Sequence, residues 1–218
     1  MTKRFGAALC AALALAASAA CALPASARDG AVLARLAAVE NEAEAIAEGE
    51  VTGAPARAAA ARAAAAWRAA RPEVARMHAG AALRSVDGAV AVLSADRDPA
   101  ALRRDGNEVT GALAPLFGAA GDRVPADLHR LDYLGRSIAL DVRQGAWPRA
   151  SADVAALGAA WDALRPRITS RAGGAPAAAG YDAVVRQLVR VVRTRSTTRV
   201  VAAANRSGAE VDKLEAFF

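Results

Sequence analysis

The segment VPADLHRLDYLGRSIALDV, residues 124–142, holds the side chains best suited to chemistry. His129, Asp132 and Arg136 are spaced three and four apart, which puts them on one face of a helix beside an apolar stripe. A neutral imidazole and a carboxylate one turn apart can chelate a metal ion or hold a polar ligand, with Asp141 or Tyr133 as helpers. The plainer reading is an Asp132–Arg136 surface pair with His129 as its neighbour, contributing roughly a few tenths of a kcal/mol. Glu40, Glu44 and Glu48 form a second set, one carboxylate per helical turn, with Glu42 and Glu50 nearby. Such oxygens suit hard cations such as Ca²⁺ or Fe³⁺. Carboxylates one turn apart also repel, and Arg57 and Arg62 are placed to counter them on the next helix, which makes a solvated acidic face the simpler expectation. The third set is basic. Arg186, Arg190 and Arg193 share a face opposite valines, and Arg195 and Arg199 extend it. That face suits anionic lipid, a cell-wall polymer or an acidic partner, or it is simply solvated. It has no aromatic anchor, so membrane insertion is not expected.

Catalytic signatures are missing. The chain has two histidines, His78 and His129, and no HExxH, CxxCH, P-loop, GxSxG or dinucleotide fingerprint. Both cysteines, Cys10 and Cys21, lie in the first thirty residues. No catalytic or cofactor-binding residue is assigned, and the protein is not expected to be an enzyme. The metal candidates are His129 and Asp132.

The N-terminus has the layout of a secretory signal peptide. Lys3 and Arg4 are followed by an uncharged apolar run, then Pro24 and the small residues Ala25-Ser26-Ala27. Cleavage after Ala27 would leave a mature chain without cysteine, hence without a disulfide or a thiolate metal site. The alternative is cleavage before Cys21 and lipidation of that thiol, since Ser18-Ala19-Ala20 partly suits a lipoprotein box. Removing Lys3 and Arg4 from 28 basic residues leaves 26 against 22 acidic ones, a net charge of +4. Arginine accounts for nearly all of it, because Lys3 and Lys213 are the only lysines. In an alanine-rich chain this is a base-composition signature more than a nucleic-acid footprint, and export makes nucleic acid a poor partner. No apolar run in the mature chain is long enough to span a bilayer.

The elements that must position these residues are helices. AWRAARPEV (66–74) lies over AWDALRPRI (160–168) at an offset of 94, matching Trp67/Trp161, Arg71/Arg165 and Pro72/Pro166. Upstream, 33–47 lies over 128–142, and downstream Leu113 and Phe117 lie over Leu214 and Phe218. One period of about 95 residues run twice is the mark of tandem duplication. Helices are predicted near 31–49, 54–77, 79–95 and 99–119, and again near 125–144, 148–171, 175–194 and 197–217. Prolines 99, 125 and 148 are read as first helical positions. Leu128, Leu131, Leu134, Ile138 and Val142 recur at helical spacing, as do Val184, Val185, Leu188, Val191 and Val192. Pro72 and Pro166 should kink or end their helices. Trp67, Trp161, Phe117 and Phe218 are expected in the core. The residues aligned with His129, Asp132 and Arg136 are Ala34, Ala37 and Asn41, and Tyr133, Trp147 and Tyr181 also lack counterparts in the first copy.

The period, the VPxxhxRLDxLGR segment and the later AWxxLRP segment resemble a group of uncharacterised exported helical proteins. More distantly, the layout is similar to the imelysin-like periplasmic proteins, some of which serve in bacterial iron uptake. That resemblance implies metal binding through a GxHxxE motif, against which Asp127, His129 and Asp132 stand here. Glycine is absent and Asp replaces Glu.

The expectation is therefore an all-α fold: a signal peptide over 1–27, a four-helix repeat over 28–121 and a second over 122–218. They form either two bundles or one merged eight-helix array. The function expected is that of an exported, non-enzymatic protein binding a partner or scaffolding in the cell envelope, periplasmic or lipid-anchored through Cys21. The alternative is a periplasmic metal-binding protein using His129 and Asp132.

Overall fold

The computed structural model describes residues 25–77, 79–96 and 98–218, with side chains from Gly30 onward. Residues up to Pro24, where the sequence reading places most of a signal peptide together with Cys10 and Cys21, and His78 lie outside the described residues. Among the described residues there are eight α-helices, one 3₁₀ turn and no strand. The helices are α1 (Ala25–Glu48), α2 (Gly53–Val74), α3 (Gly80–Ala95), α4 (Pro99–Ala119), α5 (Ala126–Arg143), α6 (Trp147–Thr169), α7 (Gly174–Val192) and α8 (Thr197–Glu215). The 3₁₀ turn, Ala75–Met77, extends α2. No described helix is long and apolar enough to cross a membrane.

Local chemistry explains the boundaries. Pro99 opens α4, and the Asp98 carboxylate caps it by accepting from the Ala101 amide at 2.7 Å. Pro125 differs from the sequence expectation: it is the cap residue, and the helix starts at Ala126. The prolines inside α2 and α6 end their helices rather than bend them mid-course. α2 stops two residues after Pro72, and α6 three residues after Pro166. Gly121, Gly145 and Gly173 adopt left-handed φ of 77°, 72° and 75°, which lets the chain reverse between consecutive helices. The carbonyls at the end of α1 accept from Arg103, at 3.1 Å for Ala47 and 3.0 Å for Glu48.

The helices pack as two closed rings of four. α1 packs on α2, α2 on α3, α3 on α4 and α4 on α1; the same order of neighbours recurs in α5–α8. α4 and α5 join the rings. Each ring has its own apolar cluster, one running from Val32 to Ala120 and the other from Leu128 to Leu214. Leu128, Leu131, Leu134, Ile138 and Val142 are all buried, as the spacing predicts. Trp67, Trp161 and Phe117 are buried too, but Phe218 is only half-buried, at the edge of its cluster beneath the guanidinium groups of Arg167 and Arg171.

Both tryptophans are held the same way. Trp67 Nε1 donates to Asp87 at 2.8 Å, and Arg71, one turn on, donates to both oxygens of the same carboxylate. Trp161 donates to Asp182 at 2.7 Å, and Arg165 again takes both oxygens. Hydrogen bonds from arginine hold each of these carboxyls below the usual range, against some desolvation and with help from the indole N–H.

Alanine-rich helices bury little apolar area per residue and must therefore approach closely. One such close approach is at Gly106, where an added Cβ would lie 2.6 Å from the Ala43 carbonyl oxygen on α1. Gly106→Ala is expected to force α1 and α4 apart at a cost of about 1–3 kcal/mol, read as a fall of roughly 3–10 °C in Tm by thermal denaturation. Gly88→Ala, in a mid-helix position whose Cβ would meet nothing within 4 Å, is expected to raise Tm slightly.

Candidate functional site

Joining two rings through one pair of helices leaves a cleft on either side of the α4–α5 seam. The front cleft lies between α1 and α8, with α5 as its floor and a volume of about 400 Å³. Its walls are cut back by small residues: Gly135 and Ala139 on α5, Gly208 and Ala209 on α8. Its charges come from four helices: Glu44 and Glu48 on α1, Arg103 on α4, Asp132, Arg136 and Arg143 on α5, and Asp212 on α8.

Two of the sets singled out in the sequence therefore meet here. The acidic stripe of α1 faces the polar set of α5 across the ring boundary, not the arginines of α2. Arg62 instead takes Glu42 in a paired contact at 2.6 and 2.7 Å. Arg136 is the hub. Its Nη1 donates to Glu44, to Asp132 at 2.7 Å and to Glu48 at 3.4 Å. Its Nε reaches Asn107 at 3.1 Å and its Nη2 reaches Thr110 at 3.4 Å, both on α4. The Arg136 side chain is 13% exposed and that of Asp132 27%, so the Asp132–Arg136 pair is a half-buried junction rather than an open surface pair.

This density of charge sets the ionisation. Burial would release the Arg136 proton, but Asp132 and Glu44 outweigh it and hold the guanidinium more firmly cationic. Burial raises Glu44 despite Arg136 beside it. Asp132 is pushed up to about 6 by burial, with Arg136 opposing and Glu44, Glu48 and Asp212 adding to the rise. Glu215, farther along α8, is raised by burial and by Asp212.

His129 lies one turn back along α5, where it stacks on Phe117 at 4.5 Å between centroids. Its Nδ1 lies 3.5 Å from Glu40 and its Nε2 3.3 Å from Asp122. Desolvation would lower its pKa, but the two carboxylates overcome this and hold it above the ordinary value. A doubly protonated ring can donate to both partners; a neutral one can serve only one.

His129 and Asp132 thus share a face but not a partner. The imidazole bridges Glu40 and Asp122, while the carboxylate turns to Arg136. As arranged, they do not offer two donors to one ion, and no group of three or more His, Cys, Asp or Glu among the described residues is set to hold a metal. Asp127, the third residue of the motif comparison, does not line the cleft. The suggested helpers are elsewhere. Tyr133 and Asp141 face the other side of the seam, where Tyr133 donates to Glu108 at 3.2 Å and Asp141 pairs with Arg149 at 3.1 Å. Tyr181 is buried against Trp161 and bonds Ser207 at 2.8 Å. Trp147 packs on its own cluster. Arg186, Arg190, Arg193, Arg195 and Arg199 are all exposed, and none of them lines the cleft.

Sequence spacing did not single out Arg103, Asn107, Thr110 or Asp212. The signal for the α4 residues was present: Asp105, Asn107 and Thr110 are polar yet fall at core-facing positions, and all three are buried. No family model matches the chain, and no curated protein or solved structure matches it either.

The His129 bridge has a defined pH signature. An imidazole that binds its proton more tightly in the fold stabilises it fully below pH 6.5, the unshifted value. That contribution is lost as pH rises through the elevated pKa. The Tm difference between wild type and His129→Gln should therefore be largest at pH 6 and shrink by pH 9. Asp132 acts in the same direction at lower pH, its protonated form being favoured by the fold up to about 6. Asp132→Asn should flatten the acidic part of the wild-type Tm profile, and an unchanged profile would contradict the burial described for that carboxyl.

Proposed function

We propose that this is an exported, non-enzymatic helical protein that binds a partner in the cell envelope through the front cleft. The observation that supports it is convergence: charged residues from α1, α4, α5 and α8, far apart in sequence, line one concave site with small-residue walls. A cleft of this size falls in the range of ligand sites. Its lining carboxylates, Glu44, Glu48, Asp132 and Asp212, outnumber its cations, Arg103, Arg136 and Arg143, so the group it takes is cationic, such as a basic side chain of a partner.

The chain is read as two copies of one four-helix unit, over 28–121 and 122–218. The repeated order of helix neighbours and the matched Trp–Asp–Arg arrangement support this. In that reading the site arose where the copies meet, because Glu44 and Arg136 belong to different copies.

Metal binding through His129 and Asp132 is the second reading. What favours it is the same carboxylate excess, which would support an ion if Asp132 left Arg136. It requires that rearrangement and, in addition, that His129 leave Glu40 and Asp122.

The test is photocrosslinking in whole cells from a reactive group placed at Ala209. One discrete adduct is expected, lost on Glu48→Arg and on Asp212→Arg. A catalytic rate of the purified protein, abolished by His129→Ala, would count against the reading. Calorimetric titration with Fe³⁺, Cu²⁺ and Zn²⁺ addresses the second reading, which needs binding tighter than about millimolar that His129→Ala weakens. Mass spectrometry of the mature N-terminus is expected to find Arg28; a lipidated Cys21 would mean surface anchoring instead.

A further inference from the structure

The back cleft, on the opposite side of the α4–α5 seam, has a different character. It lies among α3, α4 and α5 and encloses about 460 Å³. Asp105 and Glu108, one turn apart on α4, supply its acidic groups. Its wall is formed by Gly88, Ala89 and Val92 of α3 with Gly111 and Ala112 of α4. No lysine, arginine or histidine among the described residues lines it.

Asp105 is the unusual member. Only 6% of it is exposed, and its Oδ2 has no hydrogen-bond partner, alone among the buried side-chain oxygens and nitrogens described. An unpaired buried carboxylate oxygen is costly unless a donor meets it. Burial first, and the Asp96 carboxylate second, push its pKa up to about 6. Arg104, whose charge opposes that rise, donates to Gln144 at 3.1 Å. Glu108 is fixed differently: the Tyr133 hydroxyl lies 3.2 Å from both of its oxygens. That tyrosine ring is seated by the absence of a side chain at Gly111, where a Cβ would come within 2.7 Å of it.

The remaining surface is apolar. Val92 is 54% exposed, the largest such exposure of a bulky hydrophobic residue described in the molecule. Gly88 leaves open space, since a Cβ there would meet nothing within 4 Å. A hydrated divalent cation gains nothing from such a wall and keeps its own waters. An organic ammonium uses both parts: its N–H groups donate to carboxylate, and its carbon chain covers the valine and alanine surface.

We infer that the back cleft is a binding site for a primary alkylammonium group, held at Asp105 with Glu108 beside it and its carbon chain lying along Gly88, Ala89 and Val92. The group can come from a free amine or from a lysine side chain of another protein. Neither source involves the front cleft, so this site stands or falls separately from the function proposed above.

Calorimetry and amide chemical-shift mapping on the full mature chain at pH 7.5 test it, with pentylammonium, methylammonium, Nα-acetyl-lysine methylamide and Mg²⁺ at matched ionic strength. Pentylammonium is expected to bind saturably and at least tenfold more tightly than methylammonium, shifting amides of α3 and α4. Asp105→Asn should weaken it at least tenfold. Gly88→Met, which fills the cleft from an exposed helical position without touching Asp105, should do the same, while Asp132→Asn in the front cleft should leave it unchanged. Tighter binding of the lysine derivative would assign the group to a protein side chain, and tighter binding of pentylammonium to a free amine; either supports the site. Equal binding of methylammonium and pentylammonium, competition by Mg²⁺, no saturation below 50-fold excess over protein at millimolar concentration (roughly the weakest useful affinity), or indifference to both back-cleft substitutions would overturn it.

Discussion

A guanidinium shielded from water needs acceptors for its five N–H donors, and the acceptors of Arg136 come from three helices. Glu44 reaches it from α1, Asn107 and Thr110 from α4, and Asp132 from its own helix. The rest of the architecture depends on this junction. α4 and α5 meet along one seam only, so without a further constraint the two rings could roll about it. Arg136 on α5 fixes that angle by reaching Glu44 and Glu48 on α1, while Asp132 on its own helix holds the guanidinium in place. The junction in turn requires α1 to lie close against α4, which Gly106 permits by leaving space at the Ala43 carbonyl. Buried ion networks of this kind add little net stability, because desolvation offsets most of the attraction. Their main consequence is orientation, and here the orientation creates the front cleft.

The outer helices are secured by a different device. In each ring a buried tryptophan and an arginine one turn later converge on a single aspartate of the next helix. The indole N–H would be unsatisfied in the core, and the aspartate supplies its acceptor while the arginine balances the charge. The arrangement is half-exposed and local. It fixes α2 on α3 and α6 on α7, and leaves the geometry of the seam to Arg136.

Much of the fold was legible in the sequence because its signals are local. Proline at 99, glycine at 121 and 145, and leucines at three- and four-residue spacing each act through the nearest turn of helix, and the boundaries follow within a few residues. The candidate residues were legible as types, not as partners. Glu40, Glu44 and Glu48 looked countered by Arg57 and Arg62 because those arginines are near in sequence. Their true counter-charges, His129 and Arg136, are roughly ninety residues away and depend on how the rings meet. The same limit explains Tyr133, which one helical position separates from Asp132 but which serves the opposite side of the seam. Asp105, Asn107 and Thr110 broke the apolar pattern of α4, and a polar residue at a core position is where spacing alone fails and a site is to be sought.

The two clefts share a cause but end in opposite electrostatic states. Each exists because two rings that touch along one pair of helices leave a groove on either side, and alanine and glycine do not fill it. In the front cleft the chain supplies its own cations, so Glu44, Glu48 and Asp132 are met by Arg136, and an incoming group must compete with a guanidinium already in place. In the back cleft the chain supplies carboxylates, a tyrosine and an apolar wall, and leaves one oxygen of Asp105 unmet. Selectivity follows from that difference. The front cleft favours a partner with several charges, able to exchange with an existing network, whereas the back cleft favours a single cationic head on a short apolar stem.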